Sequence, residues 1–241
     1  MTLNLLTLFP EIAGAYFRDS IMARAVERGL IAVNLVNIRD FSTDRHRTVD
    51  DAPYGGGAGM VLMVEPLSRA LESIGTGKHR RTVYPTPSGR RFTAEYARSL
   101  SVEPELTFIC GRYEGIDQRV VDRYVDDEIC IGDYVLSSGE IAALTIIDSM
   151  YRFLPGVIRE ASLAEESFTE GLLEYPQYTR PEEFEGLRVP EVLLSGHHEK
   201  IREWRLRQSI EKTRRNRPDL IESQTGSRID VRDVLGKTEE E

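Results

Sequence analysis

Over its first 156 residues the chain repeats one pattern: a short apolar run, a turn, then a segment with apolar residues at helical spacing. Residues 3–9 form an apolar run closed by Pro10, and Pro10 or Glu11 can start a helix that reaches Gly29. Ile12, Phe17, Ile21 and Ala25 or Val26 supply its apolar side. Residues 30–38 read as a strand, with Ile31, Val33 and Leu35 as one alternate set. A short helix is expected over 65–74, then a brief strand over 82–84 ended by Pro85-Thr86-Pro87-Ser88-Gly89. Thr93 can cap a helix to about Leu100, residues 106–110 return to strand, and 115–125 read as helix. Residues 129–131 are a further apolar run, and Gly139 opens a helix through Ala142, Ile146, Met150 and Phe153. Such β-α repetition predicts an α/β fold, a mostly parallel sheet with helices on both faces.

The pattern stops after Gly156. Residues 157–178 are polar and aperiodic, a linker that the sequence alone would leave flexible. The expected organisation is therefore a domain over 1–156, a linker over 157–178 and a small helical domain over 179–241. The last is dominated by a helix over 197–216 with a narrow apolar stripe at Ile201, Trp204, Leu206 and Ile210, ended by Pro218.

Two strands end in glycine-containing polar loops. Phe108-Ile109-Cys110 runs into Gly111-Arg112-Tyr113-Glu114-Gly115, and Ile129-Cys130-Ile131 runs into a loop from Gly132 to Gly139. Loops at the same ends of parallel strands fit one ligand pocket, and equally fit ordinary strand-to-helix turns. Residues 53–59, Pro-Tyr-Gly-Gly-Gly-Ala-Gly, carry neither a Walker lysine nor Rossmann spacing, so a nucleotide-phosphate loop is a poor reading.

Composition narrows the class. The 241 residues are 40% hydrophobic and 29% charged, as in ordinary globular proteins. No apolar stretch is long enough to cross a bilayer, and no signal peptide is visible, which points to the cytoplasm. Cys110 and Cys130 read as small core residues rather than a disulfide or metal pair. A net charge of −9 argues against a wholly basic nucleic-acid binder, yet residues 78–91 hold five Lys or Arg and no acid, and residues 195–217 hold eight Lys or Arg against three Glu. Local basic faces can hold a phosphate backbone on an acidic protein.

Several long motifs then occur in a familiar order. They are Asp44-Arg45-His46-Arg47-Thr48-Val49-Asp50-Asp51, Pro53-Tyr54-Gly55-Gly56-Gly57-Ala58-Gly59-Met60, Cys110-Gly111-Arg112-Tyr113-Glu114-Gly115-Ile116-Asp117, Ile131-Gly132-Asp133-Tyr134-Val135-Leu136-Ser137, Arg152-Phe153-Leu154-Pro155-Gly156 and Val192-Leu193-Leu194-Ser195-Gly196-His197. With these the chain resembles the bacterial-type tRNA (guanine-N1)-methyltransferases that modify guanosine 37, over nearly all its length to about residue 220. The resemblance implies the SPOUT fold, with a deep trefoil knot, and a homodimer whose active sites lie at the subunit interface. It implies S-adenosylmethionine as donor, held by Tyr84, Pro85, Pro87, Gly111, Tyr113, Glu114, Gly115, Ile131, Gly132, Tyr134, Leu136, Ser138 and Gly139. RNA contacts fall at Arg45, His46, Asp50, Gly55, Gly56, Gly57, Gly59, Arg112, Ser195 and Arg205. The family is associated with Mg²⁺, although the sequence shows no ligand cluster for it.

The chemistry asked of such a site is specific. Guanine N1 carries a proton at neutral pH, and a positioned carboxylate can take it, a general-base effect of roughly 10²–10⁴-fold. An arginine can stabilise the charge that spreads to O6. In the family these roles belong to an arginine, matched by Arg152, and an aspartate, whose position here is Glu166. Glu166 keeps the carboxylate on a side chain one methylene longer, and Glu165 beside it is a second candidate base. A different knotted RNA methyltransferase would share the donor loops, and a non-catalytic tRNA-binding module would not need them.

Overall fold

A computed structural model describes residues 1–75, 80–159, 163, 166–168 and 171–222. The chain divides into two compact units, Met1–Ile158 and Arg159–Glu241. The first is built on a five-stranded sheet in the order β2-β1-β6-β5-β7. These strands are β1 (Thr2–Thr7), β2 (Ala32–Asn37), β5 (Arg80–Arg91), β6 (Glu105–Ile109) and β7 (Asp127–Cys130), and every neighbouring pair is parallel. A two-stranded antiparallel ladder, β3 (Asp50–Asp51) with β4 (Val61–Leu62), stands apart.

Helices cover both faces, as the pattern predicts. Strand periodicity sends Leu3 and Leu5 to one face and Leu6 to the other. On the first face these leucines, with Leu106, Phe108 and Cys110, join a core that includes Ala13 of α1 (Pro10–Tyr16), Met22 of α2 (Ser20–Glu27), Ala97 of α4 (Ala94–Leu100) and Ile146 of α6 (Gly139–Tyr151). On the second, Leu6 and Ile109 pack with Leu67 and Leu71 of α3 (Val64–Ser73) and Val120 of α5 (Gln118–Tyr124). Both cysteines are free and buried.

Three expectations change. The helix expected from Pro10 to Gly29 is two helices, because Ser20 takes a left-handed φ of 62° and Asp19 caps a new start at the Ser20 N–H. The brief strand at 82–84 is twelve residues long and runs through the proline segment as a wide bulge. Pairing with β7 holds from Val83 to Pro85 and resumes at Arg90, so Pro85 closes the first paired stretch and Pro87 falls in the bulge, where no ladder donor is needed. The basic run over 78–91 is only partly a free face. Arg80 donates to the Leu71 carbonyl at 3.0 Å, and Arg81 pairs with Asp127 and Glu103. Lys78 lies outside the described residues.

In the second unit a hairpin, β8 (Glu183–Phe184) and β9 (Leu187–Arg188), precedes α7 (Glu191–Leu194), α8 (His198–Asn216) and α9 (Pro218–Glu222). The buried positions of α8 are Ser209, Ile210 and Thr213, whereas Trp204 and Leu206 are half-buried. Its described neighbours are not helices alone. The Leu173 N–H donates to Thr213 Oγ1 at 2.8 Å, Lys212 Nζ donates to the Glu174 carbonyl at 3.0 Å, and Leu172 is buried. This part of the expected flexible linker is therefore pinned to α8.

The Arg81–Asp127 pair joins β5 to β7, and Tyr96 of α4 also donates to Asp127. Burial pushes the Asp127 carboxyl upward, but hydrogen bonds from Arg81 and Tyr96 outweigh it and hold it below the ordinary range. A depressed carboxyl stabilises the fold above its unfolded pKa and loses that contribution as pH falls through the folded value. Asp127→Asn is therefore expected to cost about 2–3 kcal/mol at neutral pH. The gap between variant and wild type should close below about pH 4, as followed by urea melts across pH.

Candidate active site

Because β5, β6 and β7 are parallel neighbours, the chain leaves them at one edge of the sheet. The bulge of β5, the loop after β6 and the loop after β7 enclose a cavity of about 230 Å³. Every residue that the resemblance assigns to the donor lines it: Tyr84, Pro85, Pro87, Gly111, Tyr113, Glu114, Gly115, Ile131, Gly132, Tyr134, Leu136, Ser138 and Gly139. Thr86, Arg112, Ile129, Cys130, Val135, Ser137 and Ala142 complete the lining.

The loops approach each other as only bare backbone can. The Gly139 N–H donates to the Gly111 carbonyl at 3.0 Å, and a Cβ at Gly139 would sit 2.5 Å from the Gly111 nitrogen. Tyr113 and Gly115 turn the second loop through left-handed backbone, with φ of 57° and 119°. Tyr84 packs under it, and burial raises its phenol above the ordinary value.

Behind the cavity lies a buried charge. Glu140, in the first turn of α6, is fully buried and accepts from Thr7 Oγ1 at the end of β1 and from Ser138 Oγ at 2.7 Å. Arg112 pairs with it at 3.0 Å, donates to the Ser137 carbonyl at 3.3 Å and lies 4.5 Å over the Phe9 ring. One carboxylate therefore ties β1 to both loops. The resemblance gives Arg112 to RNA, but its guanidinium turns inward to this node. The sequence reading missed Glu140 and Thr7, and an acid directly after the loop glycine was the only local signal.

The end of the glycine segment assigned to RNA touches Glu114, one of the residues that line the cavity. The Glu114 N–H donates to the Met60 carbonyl at 3.0 Å, and its side chain lies over Gly59, where any Cβ would come within 2.4 Å of Oε1. Gly55, Gly56 and Gly57 are exposed with positive φ, so their backbone is open to a ligand. Asp50 sits next to them on β3, paired with Leu62. Arg45 and His46 are exposed on a turn braced by Asp44, which accepts from the His46 and Thr48 N–H groups at 2.6 and 2.8 Å.

The residues that the resemblance assigns to the acceptor are placed differently. Arg152 C-caps α6, thirteen residues after Gly139 lines the cavity at the other end. At 1.5 Å per residue that is about 20 Å, beyond the reach of an arginine side chain to its own chain's cavity. Glu166 is half-buried in the second unit, and Glu165 lies outside the described residues. In that unit the exposed Ser195 donates to the Val192 carbonyl at 2.7 Å, and Arg205 stacks 4.5 Å over Tyr175. Among the described residues no three His, Cys, Asp or Glu side chains converge as a preassembled metal site, so none is offered for Mg²⁺.

Comparison with known proteins gives a consistent picture. The family model for tRNA (guanine-1)-methyltransferase TrmD matches residues 1–223. A tRNA (guanine-N(1)-)-methyltransferase from Treponema denticola is 62% identical over 222 residues, covering 92% of this chain and 91% of the relative. Its counterpart in Treponema pallidum is 60% identical, covering 94% and 90%, and one from Caldicellulosiruptor saccharolyticus is 54% identical, covering 96% and 94%.

The Glu140 node makes its own prediction. Glu140→Gln leaves Arg112 without its buried counter-charge, and should cost about 3–5 kcal/mol in denaturant melts. Arg112→Met, which removes the other member, should also be destabilising, while the double variant recovers part of the loss because no charge is then stranded.

Proposed function

Because this chain belongs to the tRNA (guanine-1)-methyltransferase family, we propose that it moves the methyl group of S-adenosylmethionine to N1 of guanosine 37 in tRNA. The observation that carries the donor assignment is the single cavity onto which every family-matched donor residue converges, floored by glycine backbone. Bound there, the donor would supply a methyl group made electrophilic by its sulfonium. Backbone N–H and C=O groups of residues 111–115 and 131–139 would hold its polar atoms, and Tyr84, Ile131 and Leu136 its apolar surface. The same loops would form the trefoil knot of the SPOUT fold.

On the acceptor side Glu166 takes the N1 proton and Arg152 offsets the charge that develops on O6. The freed N1 pair then forms the bond to the methyl carbon as the carbon–sulfur bond breaks. S-adenosylhomocysteine, 1-methylguanosine and a protonated glutamate remain. No covalent protein intermediate is needed, in keeping with the inert, buried Cys110, whose thiol burial raises well above its ordinary pKa. The roughly 20 Å from Gly139 to Arg152 supports a homodimer in which one subunit's acceptor residues complete its partner's donor cavity. The exposed apolar side chains Phe9, Ile12, Val135 and Ile141 follow the ends of β1 and β7 and suit such an interface. The reading places the enzyme in the cytoplasm, with its RNA.

Glu166→Gln should bind S-adenosylmethionine in calorimetry as the wild type does and form 1-methylguanosine at least 10²-fold more slowly by nucleoside mass analysis. Wild-type turnover in that variant would move the base elsewhere. The basic α8 makes tRNA affinity fall steeply between 50 and 200 mM salt, on the order of tenfold or more. Filter binding at several salt concentrations reads that slope, and a flat one would remove α8 from the RNA interface.

A further inference from the structure

The second unit holds a groove that the donor and acceptor assignments do not use. It measures about 550 Å³ and lies between the extended segment 175–180 and α8. Its floor comes from Ile201, Trp204 and Arg205, at i, i+3 and i+4 on one side of the helix. The opposite wall presents Tyr175, Tyr178 and Arg180. Tyr178 stands 6.2 Å from Trp204 with its ring tilted by 55°, and it is 48% exposed, so an aromatic face remains open to a ligand. Arg205 is already stacked on Tyr175, and Arg180 is exposed at the rim.

We propose that this groove holds an unpaired nucleotide of the tRNA substrate, its base on the Tyr178–Trp204 rings and its phosphate toward Arg180. The proposal rests on the tRNA reading above and adds a second contact to it. Charge argues for RNA over an apolar peptide: Arg180 and Arg205 line the groove against one acid, Glu182, and Lys200 and Arg207 lie exposed on one side of α8 next to it. Ring chemistry argues for a single-stranded nucleotide over a duplex. Bases in a helix have their faces covered by their neighbours, whereas an unstacked base offers its face to an aromatic side chain.

Trp204 is the only tryptophan, so its emission reports this groove directly. The full-length protein is titrated with an RNA hairpin whose loop is unpaired and with a blunt RNA duplex of the same charge. The hairpin should quench Trp204, and the duplex, although held by α8, should not. Tyr178→Ala should raise KM for tRNA about tenfold, with the donor Kd unmoved, and Tyr178→Phe should behave as wild type. Equal quenching by hairpin and duplex, or a wild-type KM in Tyr178→Ala, would overturn the proposal. Emission needs no turnover, so the two readings fail separately. Hairpin-selective quenching without 1-methylguanosine would refute the acceptor assignment alone, and methylation without the quench would refute the groove alone.

Discussion

A fully buried carboxylate must meet a counter-charge and hydrogen-bond donors, or the fold does not tolerate it. Glu140 meets Arg112, Thr7 and Ser138, and these partners come from three separate parts of the chain. The demand of one charge for partners therefore fixes where the loops after β6 and β7 stand relative to the end of β1. Close approach of Gly139 to Gly111 depends on that placement, and the cavity depends on the approach. The residues that touch the cavity are thus held from behind by residues that do not.

The parallel sheet explains why such a node can exist at all. Parallel strands deliver their following loops to one edge, and helices on both faces bury that edge's flanks. Here the loops are short on side-chain bulk and rich in backbone. They suit a ligand recognised through main-chain polar groups, which tolerates little change at Gly111 or Gly139 and more at exposed Val135.

Much of the fold was legible in the chain because burial imposes a period. The apolar run closed by Pro10 gave β1, and Ala142, Ile146 and Met150 at helical spacing gave α6. What escaped did so for local reasons. The apolar spacing of 12–26 runs unbroken across the bend at Asp19 and Ser20, so periodicity saw one helix where capping makes two. Prolines in the β5 bulge masked a strand that resumes after them. The loops that line the cavity stood out because two apolar runs end in glycines, and a donor role for them rests on the resemblance alone. The node behind them was invisible because Thr7 and Glu140 are 133 positions apart, and no local pattern encodes a pairing at that distance.

One consequence follows from α6 itself. It begins at the cavity, at Gly139, and ends in the cap formed by Arg152, so a single rigid element sets the distance between the proposed donor site and the arginine proposed for the acceptor. An α-helix works as a ruler graduated in steps of 1.5 Å, each turned by about 100°. Adding or removing one residue between Ala143 and Met150 would swing Arg152 away by more than a quarter of a circle while leaving Gly139 and Ala142 at the cavity in place. The length of this helix is thus under a tighter constraint than the identity of the residues on its outer face, such as the exposed Ile141.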